Sequence, residues 1–210
     1  MTHPRFTHLA LGARRGSRAV VAQAAALAFA ALALPVHAGL EEGRAKAQVC
    51  AACHGADGNS PSPEIPSLAG QPAQFIVSAL YMFREGRRVN AQMTPFVEKL
   101  SNADLNDLSL FYASLRLAPP KLKMPDDQVA RARAVTEKNN CVACHTPTFV
   151  GQQHIPRVAG QHKAYLLTQL KGFKAGTRAD IDGTMTSAAQ GLAADELELV
   201  ADYLSSFSPP

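Results

Sequence analysis

Three features of the sequence predict an all-α fold made of two tandem copies of one helical unit. A five-residue string, C-x-x-C-H, occurs twice, as Cys50-Ala51-Ala52-Cys53-His54 and Cys141-Val142-Ala143-Cys144-His145. A second string returns 90 residues later: Ile65-Pro66-Ser67-Leu68-Ala69-Gly70-Gln71 is answered by Ile155-Pro156-Arg157-Val158-Ala159-Gly160-Gln161. The apolar residues between these strings keep helical spacing, and few strand patterns remain.

The amino end is set apart from the repeat. Arg14 to Arg18 form a basic stretch, Ala19 to Leu34 are apolar except for Gln23, and Val36-His37-Ala38 offers a small-x-small cleavage signal. Residues 1–38 therefore read as an export signal cleaved between Ala38 and Gly39, and the apolar run is shorter than the ~20 residues that span a bilayer. The chain of 210 residues has 21 basic and 17 acidic side chains. Arg5, Arg14, Arg15 and Arg18 fall in the signal, which has no acid, leaving 17 against 17. The mature chain is formally neutral, so a nucleic-acid partner is excluded on charge.

In chain order, a first helix carries each C-x-x-C-H string at its end, over about residues 41–53 and 128–144. A second begins after the Gly-Gln step, where Phe75, Ile76, Leu80 and Phe83 match Tyr165, Leu166, Leu170 and Phe173. Pro72 suits its first turn, and Gly86 and Gly176 suit its stop. A third spans about 102–115 and 194–207, with Ser101 and Asp104 resembling a capping box. Three prolines between Leu117 and Asp127 predict a semi-rigid linker. The expected organisation is domain 1 over 39–118, a linker over 119–127 and domain 2 over 128–210.

The strings carry the chemistry. On a helix, positions i, i+3 and i+4 share a face, so two thiols and an imidazole reach one flat macrocycle together. This is the attachment pattern of c-type haem, with Cys50, Cys53, Cys141 and Cys144 bonding the vinyl groups and His54 and His145 binding iron. A redox C-x-x-C explains neither the histidines nor the duplication, and the spacing does not resemble a short zinc ribbon. A disulfide within each pair before haem attachment would give the histidines no role. For the other axial position, Met93 and Met185 match each other, 39 and 40 residues after their histidines, each in a polar loop before the third helix. Methionine ligation raises the potential and favours electron transfer. Met82 suits a core role, Met124 lies in the linker, and His154 and His162 have no counterparts in the first unit. Arg88 and Arg178 recur and are candidates to pair with haem propionates.

On both haem strings, the repeated Ile-Pro-x-(Leu/Val)-Ala-Gly-Gln step and both methionine segments, the chain resembles the dihaem cytochrome c4 family over 39–207. The resemblance implies two class I cytochrome c domains about a pseudo-twofold axis and two covalently attached haem c groups. His54 and Met93 would bind one iron, His145 and Met185 the other. Pro66 and Pro156 match the proline whose carbonyl accepts a hydrogen bond from the haem-binding histidine. Gly55-Ala56-Asp57-Gly58 follows His54 as in the family, whereas Thr146-Pro147-Thr148 after His145 departs from it. The resemblance implies a periplasmic electron carrier, often attached peripherally to the membrane. Its partners would be redox proteins: a terminal oxidase as acceptor, and a quinol-oxidising complex or dehydrogenase as donor. With a methionine for each iron and no cysteine left over, the expectation is a carrier without substrate chemistry rather than a peroxidase or thiosulfate dehydrogenase.

Overall fold

The computed structural model describes residues 39–120 and 122–208; the export signal expected over 1–38 lies outside them. The first repeat contains α1 (residues 39–46), a 3-10 turn at Ala47–Val49, α2 (Ala51–His54), α3 (Ala73–Arg84), α4 (Thr94–Val97) and α5 (Asn102–Ser114). The second contains α6 (Asp126–Lys138), α7 (Cys141–His145), α8 (Lys163–Lys174), α9 (Thr184–Gln190) and α10 (Ala194–Ser206). Among the described residues the only β feature is an isolated bridge between Gln152 and Ile155. Residues 116–120 and 122–125, between the repeats, have no regular secondary structure.

Each expected first helix is broken just before its haem string. Buried Gly43 and Ala47 in the first repeat correspond to buried Ala132 and Thr136 in the second. From Ala47 to Cys50 is three residues, but from Thr136 to Cys141 is five. The two extra residues, Asn139 and Asn140, are looped out: Asn140 adopts φ 53° and ψ 27°. Asparagine tolerates this left-handed conformation, and the Asn139 amide turns back to donate to Val135 O at 2.9 Å. In the first repeat the 3-10 turn leads straight into α2, whose N-cap Cys50 keeps right-handed helical angles.

The other helices follow their local signals closely. Pro72 sits at the N-cap of α3 with φ −53° and ψ 132°, one step before the first turn, since the residue ahead of the helix must still be extended. Gly86 and Gly176 stop α3 and α8 at φ 67° and 68°, a left-handed turn that glycine takes without strain. Ser101 caps α5: its hydroxyl accepts from Asp104 N at 3.2 Å, and Asp104 Oδ2 accepts from Ser101 N at 2.8 Å. In α10 only half of this arrangement exists, because Ala193 has no hydroxyl; Glu196 Oε2 accepts from Ala193 N at 2.8 Å.

Helix α3 packs on α5, and α10 packs on both α6 and α8. Ile76, Leu108, Phe111 and Tyr112 form the core of the first repeat. The second core holds Leu166, Leu170, Val200, Tyr203 and Leu204, and its Phe149, Tyr203 and Phe207 rings meet edge to face at 5.2–5.8 Å.

The repeats are joined by a pseudo-symmetric exchange of hydrogen bonds. Gln71 Nε2 donates to Arg157 O and Gln71 Oε1 accepts from Arg157 N, both at 2.9 Å. Gln161 does the same with Ser67, again at 2.9 Å for both bonds. Positions 71 and 161, and 67 and 157, are repeat equivalents, so one contact is the other rotated onto the opposite unit. Each amide is buried with donor and acceptor satisfied, the condition under which a buried polar pair stabilises rather than penalises, by about 0.5–1.5 kcal/mol per bond. The Tyr165 N–H donates to Pro63 O at 3.1 Å, and His162 Nε2 faces Ser60 O at 3.0 Å across the same seam.

Candidate functional site

His54 ends α2 and His145 ends α7, so each imidazole is fixed by the short helix that also carries its two cysteines. The Nδ1 atom of His54 lies 2.9 Å from Pro66 O, and that of His145 lies 2.9 Å from Pro156 O. A carbonyl only accepts, so Nδ1 carries the proton in both rings. Nε2 is then left with a free lone pair, the state a metal ligand requires. Burial lowers both imidazole pKa values, with the proline carbonyls opposing, and so favours the neutral ring. None of the four cysteines is in a disulfide, and burial pushes the Cys50 and Cys141 thiols up.

Met93 is the N-cap of α4, and Met185 lies in the first turn of α9. The expected loops are thus short helical turns, and a polar residue anchors the backbone of each methionine. Met93 N donates to Asn90 Oδ1 at 3.0 Å, and Met185 N donates to Asp180 Oδ2 at 2.7 Å. Asn90 and Asp180 are themselves 90 residues apart, a further repeat signal present in the sequence. Met82 is buried, and Met124 packs on the second core. His162 is committed to the seam, and His154 Nε2 lies 3.5 Å from Asp182.

One cavity of about 1230 Å³ runs through both repeats, and all eight expected cofactor-binding residues line it. That exceeds the ~300–1,000 Å³ typical of a single ligand pocket. Arg88 and Arg178 line it at equivalent places, their guanidinium groups 4.4 Å and 4.2 Å from the ring centres of Phe83 and Phe173. Arg88 Nη2 donates to Tyr165 Oη and to Gln169 Oε1, both at 3.1 Å. Burial and the Arg88 charge bring Arg178 down to about 10. Burial alone would raise the Tyr165 phenol, but the two guanidinium charges outweigh it and lower it. Arg178 Nε and Tyr112 Oη are buried with no hydrogen-bond partner. These residues fit haem: free thiols and Nε2 lone pairs toward an apolar cavity, with buried donors suited to carboxylates.

Two helical repeats that each present such a string to a shared apolar cavity are those of a two-domain c-type cytochrome. The cytochrome c family profile matches residues 129–208, and that of cytochrome c oxidase, cbb3-type, subunit III, matches residues 41–111. Cytochrome c4 of Pseudomonas aeruginosa is 36% identical over 171 residues, 77% of this chain and 85% of that protein. The chain belongs to the cytochrome c4 family. A thiosulfate dehydrogenase electron acceptor of Thiomonas intermedia is 34% identical over 171 residues, 76% of this chain and 79% of that protein. The crystal structure of reduced recombinant cytochrome c4 from Pseudomonas stutzeri superposes with a TM-score of 0.72 at 29% identity, covering 80% of this chain and 98% of the other. The protein is therefore a dihaem electron carrier holding two covalently attached haem c groups. Among the described residues no helix is long and apolar enough to cross a membrane.

Proposed function

We propose that the chain is an exported respiratory electron carrier, with domain 1 over 39–118, a linker over 119–127 and domain 2 over 128–210. In domain 1, Cys50 and Cys53 form the thioethers and His54 and Met93 ligate iron. In domain 2, Cys141 and Cys144 form them and His145 and Met185 ligate. The observation that carries this reading is the duplicated Nδ1–carbonyl bond, which leaves both Nε2 atoms toward one cavity that both methionines line. Haem iron, when bound, accepts and returns a single electron.

The chain's own residues do the rest. The Pro66 and Pro156 carbonyls orient the imidazoles and make them better donors. Asn90 and Asp180 hold the methionine segments, and Arg88 and Arg178 meet the propionates. The reciprocal glutamine contacts fix one repeat against the other, so little rearrangement accompanies electron exchange.

The favoured acceptor is a terminal oxidase at the periplasmic face of the membrane, reached by soluble or peripherally attached protein. A second reading, acceptor to a periplasmic thiosulfate dehydrogenase, is supported by the relatives that bear that description. In either role the protein itself turns over neither thiosulfate nor peroxide.

Mass spectrometry of the matured protein tests attachment: two haem increments are expected on a chain beginning near Gly39. Met93→Ala and Met185→Ala should each remove about half of the long-wavelength ferric band of a methionine–iron bond and lower one midpoint potential. If Met82→Ala did so and Met93→Ala did not, the ligand assignment would fall. Enzyme-like oxidation of thiosulfate by the purified protein would end the carrier reading.

A further inference from the structure

Arg157 breaks the pseudo-symmetry of the seam. Its repeat equivalent is Ser67, yet both positions make the same pair of backbone bonds to a glutamine of the opposite repeat. The glutamine exchange therefore needs only the main chain at this position, and the Arg157 side chain adds bonds of its own to the opposite repeat. The Arg157 side chain is 3% exposed and lines the cavity. Its Nη1 donates to Ala159 O, while Nη2 donates to Ala69 O at 3.0 Å and Ser67 O at 3.5 Å. Nε has no partner. Among the described residues its acceptors are all neutral carbonyls, and no carboxylate pairs with it. Burial brings the guanidinium down to about 10, so it remains charged at neutral pH.

A buried, unpaired charge is expensive to keep. Of the three other cavity arginines, Arg88 and Arg178 are placed at equivalent positions of the two repeats, and Arg87 is exposed. Arg157, whose equivalent is Ser67, is buried, and its head is held by Ser67 O, Ala69 O and Ala159 O, carbonyls one to three residues beyond Pro66 and Pro156, whose own carbonyls hold the two histidines. We propose that Arg157 is a potential-setting residue, a fixed cation in the seam with no protein carboxylate beside it, that favours the reduced state of the haems in the cavity it lines. The inference rests on the reading of that cavity as the haem site. Each reduction takes one electron from a donor redox protein and turns one ferric iron ferrous, with no bond made or broken. The haem's net charge falls by one unit, so a nearby fixed cation stabilises the product more than the reactant. Being buried, the charge is screened little by salt.

The test is a spectroelectrochemical titration of holoprotein, after haem content has been confirmed at two per chain. Arg157→Gln should lower the reduced-to-oxidised ratio of at least one haem, at fixed ambient potential, on the order of tenfold, the scale of a single charge acting through protein of intermediate dielectric. For one electron that is a midpoint lower by about 59 mV. Arg157→Lys, which keeps the charge, should stay near the parent protein, and the shift in Arg157→Gln should persist at high salt. Arg157→Met supplies a second neutral variant should the glutamine protein fail to mature. Unchanged midpoints in a neutral variant with two haems, or an equal fall in Arg157→Lys, would overturn the inference. Fewer than two haems in the parent protein would instead overturn the reading of the cavity.

Discussion

Thr146 occupies a backbone conformation that its repeat equivalent gives to glycine. It caps α7 at φ 69° and ψ 161°, where Gly55 caps α2 at φ 80° and ψ 147°. A β-branched residue in this region is sterically opposed, at about 1–3 kcal/mol. Thr146→Gly removes that strain. Against it stand about 0.4–1 kcal/mol of extra unfolded-state entropy and a weak hydroxyl contact with Thr148 at 3.4 Å. The net expectation is a gain of roughly 1 kcal/mol, or about 2–4 °C in Tm for a folded body of this size. Thermal and denaturant unfolding of the holoprotein, followed by circular dichroism, measures it. The reverse change cannot be absorbed: a Cβ on Gly55 would lie 2.2 Å from Asn59 O, so Gly55→Thr should impair maturation of the first haem site. An unchanged or lower Tm in Thr146→Gly, with both haems present, would refute the claim that strain is stored beside His145.

Gly43→Ala should destabilise the first repeat by roughly 1–3 kcal/mol, read by denaturant midpoint, because the new Cβ would sit 2.1 Å from Asp107 O, a main-chain atom that no rotamer change can move. Asp104 is held at about 2, below its ordinary 3.8, first by its hydrogen bond from Lys46 and then by that from Ser101. Because the folded value is the lower one, its contribution is complete above 3.8 and disappears as pH falls toward 2. Asp104→Asn should flatten the acid limb of the stability curve in that window, by a small amount since the group is largely solvated.

That the eight expected residues line one cavity was legible because the C-x-x-C-H strings and the repeat mark them in the sequence. Both cysteine–histidine strings and the Ser101–Asp104 cap are local patterns whose neighbours in sequence are neighbours in space, whereas the methionines, 39 and 40 residues beyond their histidines, show only through the repeat. The breaks before the haem strings were not legible. Helical periodicity continues smoothly through Ala47–Val49, and only the two-residue offset between Thr136 and Cys141 marks the loop at Asn140. The methionine segments read as loops because Thr94 and Pro95, like Gly183 and Thr184, look like turn residues; each instead opens a short helix. The seam was hidden for another reason. Gln71 and Gln161 stood out as a repeat, but a repeat shows that a position is reused without showing what it touches across the interface.

Duplication also explains where the halves diverge. A shared contact such as the glutamine exchange must satisfy both copies at once, since a change at position 71 or 161 leaves a buried donor and acceptor on the other repeat unpaired, at about 1–3 kcal/mol. Residues that serve only one half are released from that coupling. Two differences fall there, Gly55 against Thr146 and the Asn139–Asn140 insertion; a third, the Arg157 side chain against that of Ser67, lies in the seam but outside the glutamine exchange. Each alters the surroundings of one haem string, or the charge in the seam, while the glutamine exchange is the same in both directions. Two copies of one scaffold can thus hold haems in a fixed relation while their environments drift apart, which is what a carrier needs if its two sites are to differ in potential without differing in geometry.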